Sequence, residues 1–473
     1  MGQLVRQLNL YDIIFSGYGY TVGADIFALI PYIVRNAKGY TWLAFLIGGL
    51  LSLATGLSYA RLNIDYPSND AEYTWIKESF QVKEEKTDKD KLRNQFVSLF
   101  SAIVIWAVMI LGVTMNSVMV VSMGNFIKKM GVNIPDKFLN FAIVLIPTLF
   151  NFLDVKKMSV ANIIVTIITS VTLFGLPFLS LFKNPFSKDL KPTEIKKDTL
   201  MNIVKAIGIT ILPYNGYQSV VQMSEETKDV SDIPKGMLIS GVLAIALYTL
   251  LSVGVISILG IKNISSSKSP ISEAFSLFFG SRGGDIVNVV AVLTGFTTLL
   301  LSLYSRSRLL SKLSELKIAP ELFSNYGVKV DENNTMFKGI PFYSIIVISI
   351  MSYVCTLFRE DSLEILTDIT NILTFFVFIC VNFGVIYNYF KKKDNNQNEE
   401  NKENKENNEM TSDDKLNEEL NEELNEEINN DNGENNSIQN LLDKVTSSFP
   451  IYAFVGIVIL SLLLYQALKE FFN

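Results

Sequence analysis

The chain has no histidine and only two cysteines among its 473 residues. The lack of histidine excludes histidine-based zinc sites, nucleophile–histidine dyads and the commonest proton shuttle. Cys355 and Cys380 both lie within apolar runs, which indicates packing rather than a disulfide. Ionisable residues are scarce in those runs, so no acid, base and metal-binding groups converge as catalysis requires. We therefore expect no enzyme, no cofactor and no metal site.

The chain is rich in long apolar segments. Hydrophobic residues make up 49% of it and the mean hydropathy is +0.30, which places the chain in a bilayer. Most of these segments reach the roughly 20 residues that cross the hydrocarbon core. The eleven predicted spans are residues 11–35, 39–62, 94–126, 138–153, 158–182, 199–223, 235–261, 285–310, 340–358, 363–390 and 449–468.

The distribution of Lys and Arg predicts the orientation of the spans. The segments on the N-terminal side of the membrane carry a modest excess of these residues, which favours a cytoplasmic N-terminus. We expect an integral multi-pass protein of the plasma membrane or of a vacuolar or lysosomal membrane. Its partners are then the lipids of the bilayer, and nothing in the sequence indicates binding of nucleic acid.

A polar insert separates the last two spans. Residues 391–443 are rich in Asn, Glu and Lys and almost without large apolar side chains. Such a segment buries too little apolar surface to offset its ordering entropy, which predicts a disordered acidic cytoplasmic insert. Residues 449–470 then form an extra C-terminal transmembrane helix.

Two spans contain residues that interrupt a helix. The stretch "SGYGYTVGADIF" (16–27) carries three glycines and an aspartate, and "TILPYNGYQSV" carries Pro213 followed by Asn-Gly. Each interruption opens a set of five spans, within residues 1–183 and 199–390. Because five is odd, the second set starts on the opposite side of the membrane. This pattern predicts an inverted repeat, and two broken helices at corresponding positions indicate a binding site near the midplane.

The physics of a broken membrane helix suggests what binds there. Unpaired backbone groups in lipid cost several kcal/mol each, so a break persists only where it lines a cavity or is buried in protein. The positive end of the half-helix after Gly23 suits a carboxylate, while free carbonyls on both broken helices suit an ammonium group. A zwitterion with both groups fits this pair of breaks.

Four elements of the sequence resemble motifs of the amino acid, polyamine and organocation permeases. They are "GYTVGADIFAL", "LAFLIGGLLSLATGLSYARLNIDYPSNDAEYTWI", "LPYNGYQSVVQMSEETKDVSDIPKGM" and "SRSRLLSKLSELKIAPELFS" with "GIPFYSIIV". They cover spans one to nine in order. The resemblance implies an all-α polytopic membrane protein with the five-plus-five inverted-repeat (LeuT-like) fold and discontinuous helices one and six. It also implies secondary active or facilitative transport of amino acids by alternating access.

The resemblance also assigns a substrate site. The substrate amine would lie near the carbonyls of Thr21, Leu212 and Asn215, and its carboxylate near the amides of residues 23–25. The tyrosines of the second break match aromatic positions that cap the pocket in relatives, and Trp106 is a candidate for the opposite wall. The predicted substrate-binding residues are Gly19, Tyr20, Thr21, Gly23, Ala24, Asp25, Trp106, Leu212, Tyr214, Asn215, Gly216 and Tyr217.

Asp25 stands where the family has glycine, and three interpretations of it stay open. A carboxylate at the membrane centre costs of the order of 2.5–3.5 kcal/mol on insertion scales, so such residues are usually functional. Asp25 would hold an ammonium group, which favours a polyamine, an organic cation or a basic amino acid, or it would carry the coupling proton. The structural alternative is an N-cap for the resumed half-helix. Gln218, at a position that is acidic in some relatives, is not a proton carrier.

Other features leave the mode of action open. With no histidine, H+ coupling depends on Asp25 or is absent, in which case the protein is a facilitator or exchanger. Thr297, Thr298 and Ser302 could ligate sodium, although hydroxyls bonding back to their own helix are the commoner case. A non-transporting amino acid sensor is a further alternative. The loop after span three has no cysteine, so we expect no disulfide-linked subunit.

Overall fold

The chain was analysed as a computed structural model that describes residues 6–83, 85–153, 155–183, 187–190, 197–267, 269–326, 328–331, 334–336, 339–357, 362–409 and 450–472. The fold is almost entirely helical, as the sequence predicts. The α-helices are α1 (Leu10–Thr21), α2 (Asp25–Ala37), α3 (Thr41–Asp65), α4 (Ala71–Phe80), α5 (Asp88–Lys129), α6 (Asp136–Phe150), α7 (Val155–Lys183), α8 (Lys197–Tyr214), α9 (Asp232–Leu259), α10 (Ile261–Ser266), α11 (Pro270–Glu315), α12 (Phe342–Cys355), α13 (Ser362–Glu409) and α14 (Ile451–Phe472).

Shorter elements connect these helices. Strands β1 (Val328–Asp331) and β2 (Asn334–Met336) form an antiparallel hairpin before α12. The 3-10 helices are Lys38–Tyr40, Lys188–Leu190, Tyr217–Glu226 and Glu321–Ser324.

Seven helical stretches of the described residues are long and apolar enough to cross a membrane. They are Asp25–Asp65, Asp88–Lys129, Ser159–Lys183, Asp232–Leu259, Pro270–Glu315, Ile365–Lys393 and Ile451–Lys469, with Phe342–Cys355 as a shorter apolar helix. Each of the eleven predicted spans overlaps a helix. Seven stretches and one shorter apolar helix do not account for eleven separate spans, so the number eleven stays a prediction.

The first predicted span is two helices separated by a break. Asn9 begins α1 with a capping box, in which its side chain accepts a hydrogen bond from the Asp12 amide and the Asp12 carboxylate accepts one from the Asn9 amide. Helix α1 ends at Thr21, because Val22 has non-helical dihedral angles (φ −84°, ψ 76°). Helix α2 then resumes at Asp25.

The sixth predicted span is broken as well. Pro213 lies in the last turn of α8, which ends at Tyr214. Asn215 and Gly216 form a turn, and the chain continues as the 3-10 helix Tyr217–Glu226 rather than as an α-helix. Both interruptions that the sequence predicts are therefore present.

The helices pack around α9 and α11. Helices α1, α3 and α7 pack on α9, while α5 packs on α11 and α13. Helix α11 changes direction at Gly280, whose φ of 67° is a left-handed value that glycine adopts without strain. The residues before Gly280 form a short helix beside the end of the bundle, and the eighth predicted span follows it.

Two faces of the bundle can be defined from these contacts. The N-terminal face carries Leu8, which pairs with Thr227, together with the starts of α1 and α5 and the end of α3. The distal face, at the other end of the bundle, carries the ends of α2 and α5 and the helix α10.

The predicted insert begins within a helix. Helix α13 continues to Glu409, so residues 391–409 are helical in the structure, and the disorder of the insert stays a prediction. Lys and Glu are good helix formers, and an existing helix extends at low cost because its nucleus is already formed. Residues 410–443 of the predicted insert and residue 449 of the predicted C-terminal helix lie outside the described residues.

Candidate functional site

The two breaks are in direct backbone contact at Gly216. A Cβ atom on Gly216 would lie 2.8 Å from the carbonyl carbon and oxygen of Tyr20 and 2.9 Å from the Cα of Thr21. Real Cβ atoms essentially never come so close to a backbone, so only glycine allows this approach. The chain folds so that the end of α1 and the turn after α8 face each other at this point.

A tyrosine of α9 joins the two breaks. The Tyr248 hydroxyl lies 2.8 Å from the carbonyl oxygen of Thr21 and 3.4 Å from that of Pro213. The hydroxyl of Thr298 on α11 donates to the carbonyl oxygen of Gly19 at 3.0 Å. We expect such hydroxyls to bond back to their own helix, but the Thr298 hydroxyl bonds to the first break instead. The sequence did not indicate that Tyr248 or Thr298 would contact the breaks.

Thr297 and Ser302 behave differently from Thr298. The Thr297 hydroxyl donates to the carbonyls of Leu293 and Thr294 on its own helix, as expected. The Ser302 hydroxyl is buried, and within the described ranges it has no hydrogen-bond partner.

The backbone groups released at the breaks are only partly satisfied. The Thr21 carbonyl accepts bonds from the Gly23 amide at 3.0 Å and from Tyr248, which uses both of its lone pairs. The Leu212 carbonyl accepts one bond, from the Asn215 amide at 2.9 Å. The Ala24 amide donates to the sulfur of Met119 at 3.3 Å, and a thioether is a weak acceptor. A carboxylate oxygen would form a stronger hydrogen bond with this amide than the sulfur does.

Asp25 is the first residue of α2 and is buried, with 3% of its surface exposed. The N-cap position is occupied by Ala24, which makes no side-chain cap bond. Asp25 is therefore one residue past the N-cap position that the structural alternative gives it. The Asp25 carboxylate accepts a bond from the Ile26 amide at 3.0 Å and lies 2.9 Å from where a Cβ on Gly23 would be. In the described part of the chain, no basic side chain forms an ion pair with it.

The second break is held by polar side chains. The Asn215 amide group donates to the hydroxyl of Thr374 on α13 at 2.8 Å. Gln218 turns back on the break, because its side-chain oxygen accepts the Gly216 amide at 3.0 Å and its nitrogen donates to the Asn215 side chain. Gln218 thus fixes the shape of the turn, a role that the sequence gave no reason to expect.

The predicted tyrosines lie beside the breaks along the chain, but the hydroxyl groups of two of them bond to α3. The Tyr214 hydroxyl donates to the carbonyl oxygen of Phe45 at 2.9 Å, and the Tyr217 hydroxyl bonds to Ser52, so both rings reach toward α3. Tyr20 is buried, and among the described residues its hydroxyl has no partner.

Trp106 lies on α5, at a different level of this helix from Met119. It stands thirteen residues before Met119 on α5, which is about 20 Å along the helix toward the N-terminal face. A match at the level of a span leaves the turn of the helix undetermined, so the role of Trp106 in the site stays a prediction. Met119 occupies the position on α5 that contacts the first break.

The N-terminal face is closed below the breaks. Arg308 forms an ion pair with Glu226 at 3.3 Å, and both side chains are at most 5% exposed. The Arg308 guanidinium also lies over the ring of Tyr304 at 3.5 Å, and the Tyr304 hydroxyl bonds to Glu226. Backbone bonds from residues 7 and 8 to the Glu226 carbonyl, at 2.9 and 3.0 Å, tie down the N-terminal segment.

Comparison with known proteins decides the family. The model of the amino acid permease family matches residues 8–406. The chain belongs to this family. It is therefore an integral multi-pass membrane protein, and two broken helices in contact are part of how this permease folds. Among the described residues, no group of three acidic or cysteine side chains could hold a metal ion.

Named relatives of the permease come from bacteria and plants. It is 22% identical over 377 residues to inner membrane transport protein YbaT of Escherichia coli, covering 78% of this chain and 81% of the relative. It is 22% identical to branched-chain amino acid permease BcaP of Bacillus subtilis, covering 83% and 82%. It is 25% identical to cationic amino acid transporter 9, chloroplastic, of Arabidopsis thaliana, covering 68% of this chain but only 57% of the longer relative.

Proposed function

We propose that this permease transports amino acids by alternating access and binds them where its two helix breaks meet. The observation that carries the proposal is the contact of Gly216 with the backbone of Tyr20 and Thr21. Broken helices that face each other near the midplane offer peptide groups to a solute in a setting otherwise poor in polar partners. The relatives named for amino acid transport support the same substrate class.

Each end of an amino acid has a matching group at the breaks. The α-carboxylate would take the Ala24 amide from the Met119 sulfur, at the positive end of α2. The α-ammonium would bind the free lone pair of the Leu212 carbonyl and the carboxylate of Asp25. Asp25 is buried and without a cationic partner in the described ranges, and a substrate ammonium would supply that charge.

A polyamine or organic cation is the second candidate, and Asp25 is the observation that favours it. Such a substrate would use the carboxylate of Asp25 and leave the Ala24 amide on its sulfur. A protein that binds amino acids without moving them, a sensor, is the third candidate. Proton coupling through Asp25 fits the first two candidates.

Alternating access requires both faces to open in turn. With the N-terminus in the cytoplasm, the N-terminal face is the inner one, and the Glu226–Arg308 pair closes it. Opening would separate the 3-10 helix Tyr217–Glu226 from α11 and release the bonds of residues 7 and 8. The second break, next to Gly216, is the natural hinge for this movement.

Counterflow in liposomes tests the proposal. Purified protein is reconstituted into vesicles loaded with unlabelled leucine, lysine, glutamate or cadaverine, and uptake of the same labelled compound is measured. We expect exchange of at least one amino acid that exceeds exchange of cadaverine. Exchange of cadaverine alone would favour the cation transporter, and binding without exchange would favour the sensor.

A further inference from the structure

A recess on the distal face leads toward Asp25. It has a volume of about 550 Å³ and lies between α2, the distal end of α5 and Ser267 after α10. On α2, Ala28, Tyr32 and Arg35 line it, and these continue at helical spacing the face on which Asp25 stands. The recess therefore begins about one helical turn beyond the proposed substrate site.

The other wall of the recess, on α5, also comes within about one helical turn of the site. Ser122 on α5 lines its inner end, one turn beyond Met119, the acceptor of the Ala24 amide. Ser122 is 1% exposed, and its hydroxyl has no hydrogen-bond partner in the described part of the chain. A buried hydroxyl without a partner costs free energy, so this one is suited to a ligand atom that enters the recess.

Among the described residues, every charged side chain that lines the recess is basic: Arg35, Lys128 and Lys129. The Arg35 guanidinium stacks on Tyr32 at 5.0 Å and donates through Nε to the Ser265 carbonyl at 2.8 Å. Its two terminal nitrogens form no hydrogen bond with the described residues, which leaves the side that suits a carboxylate open.

The two lysines are partly engaged. Lys128 forms an ion pair with Asp136, and Lys129 donates to the Ser269 hydroxyl at 2.8 Å. Behind the lining, the Ser267 hydroxyl donates to Glu273 at 2.6 Å. Neither Asp136 nor Glu273 is among the described residues that line the recess.

We propose that this recess is an outer subsite for the carboxylate of the arriving substrate, so that the permease selects amino acids over amines that lack a carboxylate. This inference rests on the proposed function. The carboxylate is first held by Arg35 and its basic neighbours, then passes Ser122 and reaches the Ala24 amide, while the ammonium approaches Asp25. A polyamine or other organic cation is repelled at the recess although Asp25 would accept it.

The test compares substrates that differ only by the carboxylate. Uptake into liposomes is measured for leucine and isopentylamine and for lysine and cadaverine, with wild type and with the triple variant Arg35→Gln, Lys128→Gln, Lys129→Gln. We expect the variant to raise KM for the amino acids about tenfold with little change in kcat, as loss of electrostatic attraction does. The KM of the amines should stay the same or fall.

Matched variants separate charge from folding. Lys183→Gln, Lys188→Gln, Lys262→Gln removes as many charges on the distal side away from the recess and should leave KM unchanged. Arg35→Lys, Lys128→Arg, Lys129→Arg keeps the charges and should retain most of the affinity. The subsite is refuted if both triple Gln variants act alike, or if amino acids and amines lose affinity equally.

Binding of labelled leucine to purified protein keeps the two proposals distinguishable. If wild type exchanges none of leucine, lysine, glutamate and cadaverine in the counterflow experiment, the proposed function fails. Leucine binding should still weaken in the recess variant and not in its matched control. Equal binding by wild type and the recess variant would refute the subsite whether or not transport is observed.

Discussion

Gly216 and Tyr20 touch through their backbones, although 195 residues separate them in a chain of 473. This contact brings the two helix breaks together, and Tyr248 bridges them with one hydroxyl. The substrate site that we propose depends on this geometry more than on any side chain. The first prediction therefore addresses the glycine.

Gly216→Ala should abolish leucine binding and transport. The added methyl group would meet the Tyr20 carbonyl at 2.8 Å and force the breaks apart. Gly384→Ala on α13 is the matched control, because its methyl group finds only ordinary contacts, at 3.7 Å from Ser79 and 3.8 Å from Leu62. Equilibrium binding and melting temperature of both variants check this. Normal binding by the first variant would show that the breaks need not touch.

Asp25→Asn should weaken substrate binding more than it lowers stability. We expect the KM for lysine to rise about tenfold or more, because a buried charge-assisted bond to the ammonium is lost. Asp12→Asn is the control, since Asp12 is also buried but caps α1 and accepts the Ser159 hydroxyl. It should lower the melting temperature and leave the KM for lysine unchanged. The reverse pattern would assign Asp25 a structural role at the start of α2.

Tyr248→Phe should loosen the contact between the breaks. It removes the hydroxyl that bonds the Thr21 carbonyl, which costs about 1 kcal/mol of stability. Transport should fall further, because the spacing of the breaks is no longer fixed. Tyr353→Phe removes a bond to the Lys137 carbonyl at an exposed position and serves as the control. Equal losses of transport in the two variants would contradict this role for Tyr248.

Arg308→Met should destabilise the closed N-terminal face. It removes the ion-pair partner Arg308 from the buried Glu226 carboxylate, at a cost of about 3–5 kcal/mol. The double variant with Glu226→Gln should recover much of that loss in thermal unfolding. Lys392→Met, which breaks an exposed pair with Asp65, should cost at most about 1 kcal/mol. A double variant no more stable than the single one would refute this role of the ion pair.

The positions of the breaks could be predicted from the sequence, because glycine, proline and Asn-Gly act locally on the backbone. The residues that hold the breaks could not be predicted in the same way. Tyr248, Thr298 and Thr374 lie on three other helices, and their roles depend on how those helices rotate as they pack. The place of Trp106 in the site stays a prediction for the same reason, since a match to a span does not fix the turn on which a residue lies.

The insert shows a different limit. Composition identified residues 391–443 as too polar to form a core, and this argument concerns packing only. It gives no information on whether a preceding helix continues into the segment. Helix α13 does so as far as Glu409, because extension needs no new nucleus.

The account is tested most directly by a cryo-EM map of the purified permease with the amino acid that gives the strongest counterflow. We predict density between the breaks, with its carboxylate within hydrogen-bond distance of the Ala24 amide and its ammonium near Asp25 and the Leu212 carbonyl. Density for the amino acid at another place in the protein, or unbroken α-helix through residues 22–24 and 215–216, would contradict the proposed substrate site.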